Sequence, residues 1–200
     1  MIKRAFDVIV AGLGLVVSAP LWAIIAAAIK IEDGGPVFFV QPRVGRDGVL
    51  FTAYKFRSMV PEAALALPRQ AAAHDPRVTR VGAVLRPTAM DELPQLWNIF
   101  RGDMSFVGPR PLMPGEIEVR GDGRAVPLDA IPGYEERHAV TPGLTGLAQI
   151  YAPRDVRRAV KFRFDRVYAR RVSFWLDLKL IAISFWISAR GRWEYRAPKL

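Results

Sequence analysis

The chain has 200 residues, 51% of them apolar and 24% charged, with a formal net charge of +10 and no cysteine. That length holds one domain with at most an appendage, and the composition excludes both a disordered chain and a polytopic membrane protein. The lack of cysteine excludes disulfides, thiolate metal sites and cysteine nucleophiles, and two histidines, His74 and His138, far apart in sequence exclude a multi-histidine metal site.

The charge is uneven along the chain. Residues 1–153 carry 16 Lys/Arg against 15 Asp/Glu, whereas residues 154–200 carry 13 against 4. An excess of that kind asks for a polyanionic partner, and nucleic acid, anionic lipid and nucleotide phosphates all qualify.

The first element is the uncharged run of 22 residues from Val8 to Ile29, which follows Lys3, Arg4 and Asp7. As a helix it measures ~33 Å, enough to cross a bilayer core of ~30 Å. Three topologies compete for it. A simple span has its basic start on the cytoplasmic side. A re-entrant hairpin uses Pro20 as the helix break, with Ser18 nearby to satisfy freed backbone groups. A signal peptide or buried core helix is the third. Gly12-Leu13-Gly14 has Val17 where a dinucleotide fingerprint needs its third glycine, so that motif is rejected.

Val37–Gln41 and Leu50–Phe56 read as strands joined through Gly45-Arg46-Asp47-Gly48, whose Asp-Gly is a hairpin signal. Residues 61–73 are alanine-rich and read as helical. Leu93, Leu96, Trp97 and Phe100 fall at helical spacing, stopped by Gly102, and the segment from Pro109 to Gly146 reads as loops. The tail from Arg154 is helical again. Val160, Phe164, Val167 and Tyr168 form an apolar stripe flanked by Arg157, Lys161, Arg163, Arg166, Arg170 and Arg171. A second run, Leu180 to Ala189, is surrounded by Trp175, Trp186 and Trp193, which suits a helix lying in the membrane interface; a core helix with a solvated charged side is the alternative.

Three polar clusters could carry chemistry. In Tyr54-Lys55-Phe56-Arg57 a strand would put Lys55 and Arg57 on one face, two cations that suit a pyrophosphate, or a plain solvent-facing surface. In Arg86-Pro87-Thr88-Ala89-Met90-Asp91-Glu92, Thr88-x-x-Asp91 has the spacing of a capping box. The same two carboxylates, with Arg86 close by, could instead hold a divalent cation and supply a nucleophile. Adjacent helical residues point ~100° apart, so Asp91 and Glu92 should have different jobs. Gly102-Asp103-Met104-Ser105-Phe106-Val107-Gly108-Pro109-Arg110-Pro111 reads as a turn, a short strand and a stiff loop presenting Arg110 to a phosphate, or as an ordinary tight turn.

Taken together, these blocks resemble the bacterial sugar transferase family, the monotopic polyprenyl-phosphate phosphoglycosyl transferases. The resemblance rests on Lys3-Arg4-Ala5-Phe6-Asp7, Gly35-Pro36-Val37-Phe38-Phe39, Arg43-Val44-Gly45, Tyr54-Lys55-Phe56-Arg57-Ser58-Met59, Asp91-Glu92-Leu93-Pro94-Gln95 and Gly102 to Pro111. Pro142-Gly143-Leu144-Thr145-Gly146-Leu147-Ala148-Gln149 and Ser173-Phe174-Trp175-Leu176-Asp177 complete the series, in order over nearly the whole chain. Three blocks depart from the family pattern: Ala19, with Ser18 one earlier, precedes Pro20 in place of Ser-Pro; Arg86-Pro87-Thr88-Ala89-Met90 replaces a more basic, serine-containing run before the acid pair; and Ile150-Tyr151-Ala152-Pro153-Arg154 follows Gln149.

The resemblance implies the small minimal-core form of an enzyme that moves a phosphosugar from a UDP-sugar to polyprenyl (undecaprenyl) phosphate and releases UMP. It implies a covalent phosphosugar on Asp91, Mg²⁺ held by Asp91 and Glu92, and phosphates handled by Lys55, Arg57, Arg86 and Arg110. The implied fold is α/β (α+β): a re-entrant N-terminal helix over 1–30 broken at Ser18 and Pro20, a catalytic domain over 31–153 with a small sheet and surrounding helices, and basic amphipathic interfacial helices over 154–200. The implied partners are a UDP-sugar, polyprenyl phosphate and the anionic lipids of the cytoplasmic membrane face, with no nucleic acid; a homodimer stays open. The rival classes are a noncatalytic lipid-surface protein and a nucleic-acid-binding module.

Overall fold

A computed structural model describes residues 2–60, 75–153 and 156–193. The alanine-rich stretch expected to be helical lies outside the described residues, apart from which the chain is a mixture of helices and short strands.

Helix α1 runs from Ile2 to Asp33 with Pro20 inside it. Its buried residues, Asp7, Ala11, Ile25 and Ile29, fall on one face at ~100° per residue. Ile9, Leu13, Val16, Val17, Ile24 and Ile31 occupy the opposite face and are all exposed. Pro20 has no N–H for the Val16 carbonyl. Ser18 does not fill that gap: its hydroxyl donates one turn earlier, to the Gly14 carbonyl at 2.6 Å, a back-bond that bends helices without serving the freed group.

Both ends of α1 are tied to the same body. At the N-terminus Lys3 Nζ donates to Asp177 Oδ2 at 2.5 Å and to the Val107 carbonyl at 3.1 Å. Arg4 donates to the carbonyls of Ile99 and Phe100 at 2.6 and 2.8 Å, and the Asp7 carboxylate accepts from the Phe106 N–H at 3.2 Å. At the C-terminus Glu32 accepts from the backbone N–H groups of Arg80 and Val81, and Asp33 pairs with Arg57. Lys3 and Arg4 are therefore internal contacts as well as a basic start.

Strands β1 (Phe38–Val44) and β2 (Leu50–Phe56) form an antiparallel hairpin with Val40 opposite Tyr54 and Pro42 opposite Thr52. Its turn has Asp47 and Gly48 at φ of 54° and 79°, the left-handed geometry that an Asp-Gly pair supplies. Asn98 accepts from the Tyr54 N–H at 3.1 Å and donates to the Thr52 carbonyl at 2.7 Å. Those groups of β2 thus point away from β1, so Pro42 sits at a non-hydrogen-bonded position and costs the ladder nothing.

Helix α2 (Arg80–Leu85) is capped by Thr79, whose hydroxyl accepts from the Gly82 N–H at 2.9 Å. Helix α3 (Gln95–Arg101) packs on α1, where Gly14 brings the backbone close to Leu96, and ends at Gly102 with φ 103°. The segment expected to be loops is partly regular. It holds the hairpin β4 (Ile117–Val119) and β5 (Ala125–Pro127), helix α4 (Tyr134–His138) and a strand over Gly143–Thr145. The last of these, β6, pairs in parallel with β3 (Ser105–Val107). The small sheet is thus three separate two-stranded ladders among the described residues.

A short helix α5 (Leu147–Tyr151) leads to α6 (Arg158–Arg171) and α7 (Phe174–Ala189). The buried face of α6 is Phe162, Asp165 and Tyr168, so only Tyr168 of the expected stripe is in the core, and Val167 is exposed. The sequence pattern missed this because Asp165 is buried as the partner of Arg137 at 2.9 Å. Two basic residues of α6 are likewise spent internally, Arg158 on Glu116 and Arg166 on Glu136, while Arg157, Arg163, Arg170 and Arg171 are exposed. On α7 Trp175, Phe185 and Trp186 are exposed, but Trp193 donates to Ser188 Oγ at 2.6 Å and packs against the core.

Candidate active site

Asp91 and Glu92 lie in a one-turn 3₁₀ segment, Met90–Glu92, between α2 and α3. The expected capping box does not form. The Thr88 hydroxyl instead donates back to the Leu85 carbonyl at 3.0 Å, closing the end of α2. The chain then turns through Ala89, which has φ 58° and ψ 21° without being glycine. That conformation costs an alanine roughly 1–2 kcal/mol, and it delivers the carboxylates to the face of β2 that carries Lys55.

The two carboxylates have different surroundings. Glu92 is paired with Lys55 and receives Arg110 Nη2 at 3.3 Å. Burial pushes its carboxyl up, but Lys55 and Arg110 together outweigh burial and hold it at about 2. Asp91, 9% exposed, has no hydrogen bond to its carboxylate among the described residues. Burial is the largest influence on it and raises its pKa, with Glu92 adding to the rise and Lys55, Arg86 and Arg110 opposing it. A committed carboxylate thus stands beside an uncommitted one.

Arg110 comes from the loop after β3, and its position depends on glycine. A Cβ on Gly143 would lie 2.0 Å from the Gly108 nitrogen, and one on Gly108 would lie 2.2 Å from the Thr141 carbonyl oxygen. Only glycines let β6 pass so close to the start of the Gly108-Pro109-Arg110-Pro111 loop. Below the loop, the Arg110 carbonyl accepts from Arg137 Nη2 at 2.5 Å.

Of the cations expected to serve phosphates, Lys55 and Arg110 meet at Glu92, and Arg86 is close enough to act on the charge of Asp91. Arg57 does not join them. It lies one residue past the end of β2, pairs with Asp33 at the end of α1 and is 5% exposed. The guanidinium packs against Gly35, where a Cβ would come within 2.2 Å of Nη1. The residues that sequence reasoning missed are Arg43, Gln95 and Asn98. Arg43 and Gln95 line a recess with Ala53, Lys55, Arg110 and Leu144, and Asn98 staples α3 to β2. The alternation of Phe39, Gln41 and Arg43 along β1 was the available signal for Arg43.

No group of three or more His, Asp or Glu residues that could hold a metal occurs among the described residues. The donor set instead suits a hard cation that takes one carboxylate and completes its shell with water and substrate phosphate, which is how Mg²⁺ is usually held. Asp91, without a hydrogen-bond partner, fits that role; Glu92 is already committed to two cations.

Comparison with known proteins gives the family. The chain is 44% identical over 190 residues to an undecaprenyl-phosphate glucose phosphotransferase of Komagataeibacter xylinus, covering 91% of this chain and 35% of that protein. It is 38% identical over 196 residues to the exopolysaccharide production protein ExoY of Rhizobium meliloti, covering 90% of this chain and 82% of ExoY. A UDP-N-acetylgalactosamine-undecaprenyl-phosphate N-acetylgalactosaminephosphotransferase of Aeromonas hydrophila is 39% identical over 183 residues, which cover 90% of this chain and 42% of that protein. The chain thus spans between a third and four-fifths of the length of these relatives. The pattern of the bacterial sugar transferases matches residues 1–191, and the chain belongs to that family.

Proposed function

We propose that the chain transfers a phosphosugar from a UDP-sugar to polyprenyl phosphate, with Asp91 as the nucleophile. The observation that carries this is the pairing of an uncommitted buried carboxylate, Asp91, with a neighbouring Glu92 already bound by Lys55 and Arg110. The names of the relatives support both substrates, an undecaprenyl phosphate and a sugar nucleotide.

In the first half-reaction an Asp91 carboxylate oxygen forms a bond to the sugar-bearing phosphorus. The bond from that phosphorus to the bridging oxygen breaks, and its electron pair leaves on UMP. In the second, an oxygen of polyprenyl phosphate attacks the same phosphorus and the bond to Asp91 breaks, giving polyprenyl-diphosphate-sugar. No proton has to move in either step. What opposes both is repulsion between anions, so the work falls to Lys55, Arg86 and Arg110, fixed where charge concentrates. Mg²⁺ bound at Asp91 would supply further positive charge to the phosphates. Ion pairing keeps Glu92 ionised and holds Lys55 and Arg110 in place. Two half-reactions at one aspartate let a soluble donor and a lipid acceptor use the site in turn.

The proposal extends to the membrane. Polar contacts from Lys3 and Arg4 at one end of α1, and from Glu32 and Asp33 at the other, hold both ends to one body. A straight span would put those ends on opposite sides of a bilayer, so this favours a helix that enters and leaves on one face, with its exposed stripe of Ile9, Leu13, Val16, Val17 and Ile24 in lipid. Phe174 meets Phe6 edge-on, centroids 5.5 Å apart, which puts exposed Trp175 next to the same end of α1. Trp175 and Trp186 suit the headgroup level, and exposed Arg163, Arg170 and Arg171 suit anionic lipids. Lys3 and Arg4 at the start of the helix favour the cytoplasmic face.

The test is UMP release from a panel of UDP-sugars by protein in detergent with polyprenyl phosphate present. The expected result is turnover with at least one donor, abolished in Asp91→Asn and suppressed by excess chelator. A lipid-surface protein without catalysis would release none.

A further inference from the structure

Arg43 stands in the recess beside Lys55 and Arg110, and its chemistry is unlike theirs. Lys55 and Arg110 share the carboxylate of Glu92. Arg43 has no ion pair among the described residues: Nη2 donates to Gln41 Oε1 at 2.5 Å and Nη1 to the Pro111 carbonyl at 3.2 Å, both neutral acceptors. Donors on Nε and on both Nη atoms remain uncommitted. The recess therefore gathers three cations around one carboxylate.

Holding Arg43 there is costly. Burial first, and the charge of Arg110 second, pull its pKa down to about 10 against the opposing charges of Glu116 and Glu92, neither of which pairs with it directly. A second feature of the recess also lacks a partner. Gln95 is 4% exposed and its side chain makes no hydrogen bond among the described residues. Ala53, Pro111, Gly143 and Leu144 supply the apolar wall that strengthens any charge pairing inside. A guanidinium with donors to spare and no ion pair, and an amide without a partner among the described residues, together indicate an anionic occupant with further oxygens to bind.

The order of the cations suggests which anion. Cross-strand register sets Lys55 opposite Phe39 and Arg43 opposite Phe51, so Arg43 stands four residues along the hairpin from the lysine that pairs with Glu92. Arg43 is thus farther than Lys55 from the proposed nucleophile. We propose that Arg43 holds the phosphate that departs with the nucleotide, while Lys55 and Arg110 hold the sugar-bearing phosphate next to Asp91. This rests on the transferase reading above. The acceptor phosphate approaches opposite Asp91, along the line by which UMP leaves, so Arg43 faces a phosphate in both half-reactions and a nucleotide only in the first.

The experiment measures UMP binding to the full chain in detergent by calorimetry, beside the two half-reactions taken separately. Arg43→Gln should weaken UMP at least tenfold and slow both UMP release in the absence of polyprenyl phosphate and discharge of preformed phosphosugar-protein onto polyprenyl phosphate. Arg43→Lys, which keeps the charge but loses the planar fork, should weaken UMP at least threefold and serves if the glutamine variant does not fold. UMP affinity within twofold of wild type in both variants, or UMP release at the wild-type rate in both, overturns the assignment. A wild-type protein that turns over no UDP-sugar yet binds UMP through Arg43 overturns the transferase reading and leaves the anion site standing.

Discussion

Arg137 Nη2 donates to the carbonyl oxygen of Arg110 at 2.5 Å, and its Nε is held by Asp165 Oδ2 at 2.9 Å. A guanidinium 2% exposed thus links helix α6 to the loop that brings Arg110 to Glu92. Removing one partner of a buried pair strands the other charge, so Arg137→Met should destabilise the protein by about 3–5 kcal/mol. The double variant Arg137→Met/Asp165→Leu should recover part of that loss. Thermal unfolding in detergent reads both, and a single variant as stable as wild type would contradict the pairing.

His138 gives the protein a pH dependence on the acid side. Nδ1 lies 2.8 Å from the Tyr134 carbonyl, which makes it the donor, and Nε2 lies 3.1 Å from Arg137 Nη1 and accepts. Burial first, then the charge of Arg137, lowers its pKa to about 4 from an ordinary value of 6.5. Between those values the unfolded chain binds a proton that the folded chain refuses. Stability from this group is complete above pH 6.5 and is lost as pH falls towards 4, by about 3 kcal/mol at most. His138→Gln should flatten that slope relative to wild type in denaturation series at pH 7, 6 and 5. Equal slopes would remove His138 from the account.

Lys55→Met should leave Glu92 buried beside a single cation. With its chief counter-charge gone, the carboxyl of Glu92 rises from about 2. Turnover should drop by two orders of magnitude or more, on the scale of losing one fixed charge from a transition state. Steady-state UMP release checks this, and a variant with near wild-type kcat would place Lys55 outside the reaction.

Gly143→Ala should push β6 off the start of the Arg110 loop, since the added carbon would meet the Gly108 nitrogen at 2.0 Å. Overpacking of this kind costs about 1–3 kcal/mol, and activity should fall further than stability because Arg110 moves. A fully active, fully stable variant would mean that the clasp between β3 and β6 does not position the loop.

Much of this site was legible in the sequence, and the exceptions share a physical cause. The hairpin turn at Asp47-Gly48, the stop at Gly102 and the different settings of Asp91 and Glu92 follow from local chemistry, where neighbours in sequence are neighbours in space. Arg57 is drawn from the expected phosphate group by Asp33, 24 positions away in sequence, which pairs with it. The buried face of α6 was misread because Asp165 and Arg137, polar by type, are core residues once paired. Both faces of α1 are apolar by sequence, so only packing distinguishes the face of Ala11 and Ile25 from that of Val16 and Ile24. Arg43 and Gln95 reach the recess through cross-strand register and helix packing, which no single stretch of sequence displays.

The claim at the centre is that Asp91 carries the phosphosugar between two half-reactions. Mixing the protein with a turned-over UDP-sugar in the absence of polyprenyl phosphate, and measuring UMP released per protein with the intact mass of the chain, tests it most directly. The account predicts a burst approaching one UMP per protein and a mass increase of one phosphosugar, both absent in Asp91→Asn. UMP release that strictly requires polyprenyl phosphate, with no change in mass, would contradict it.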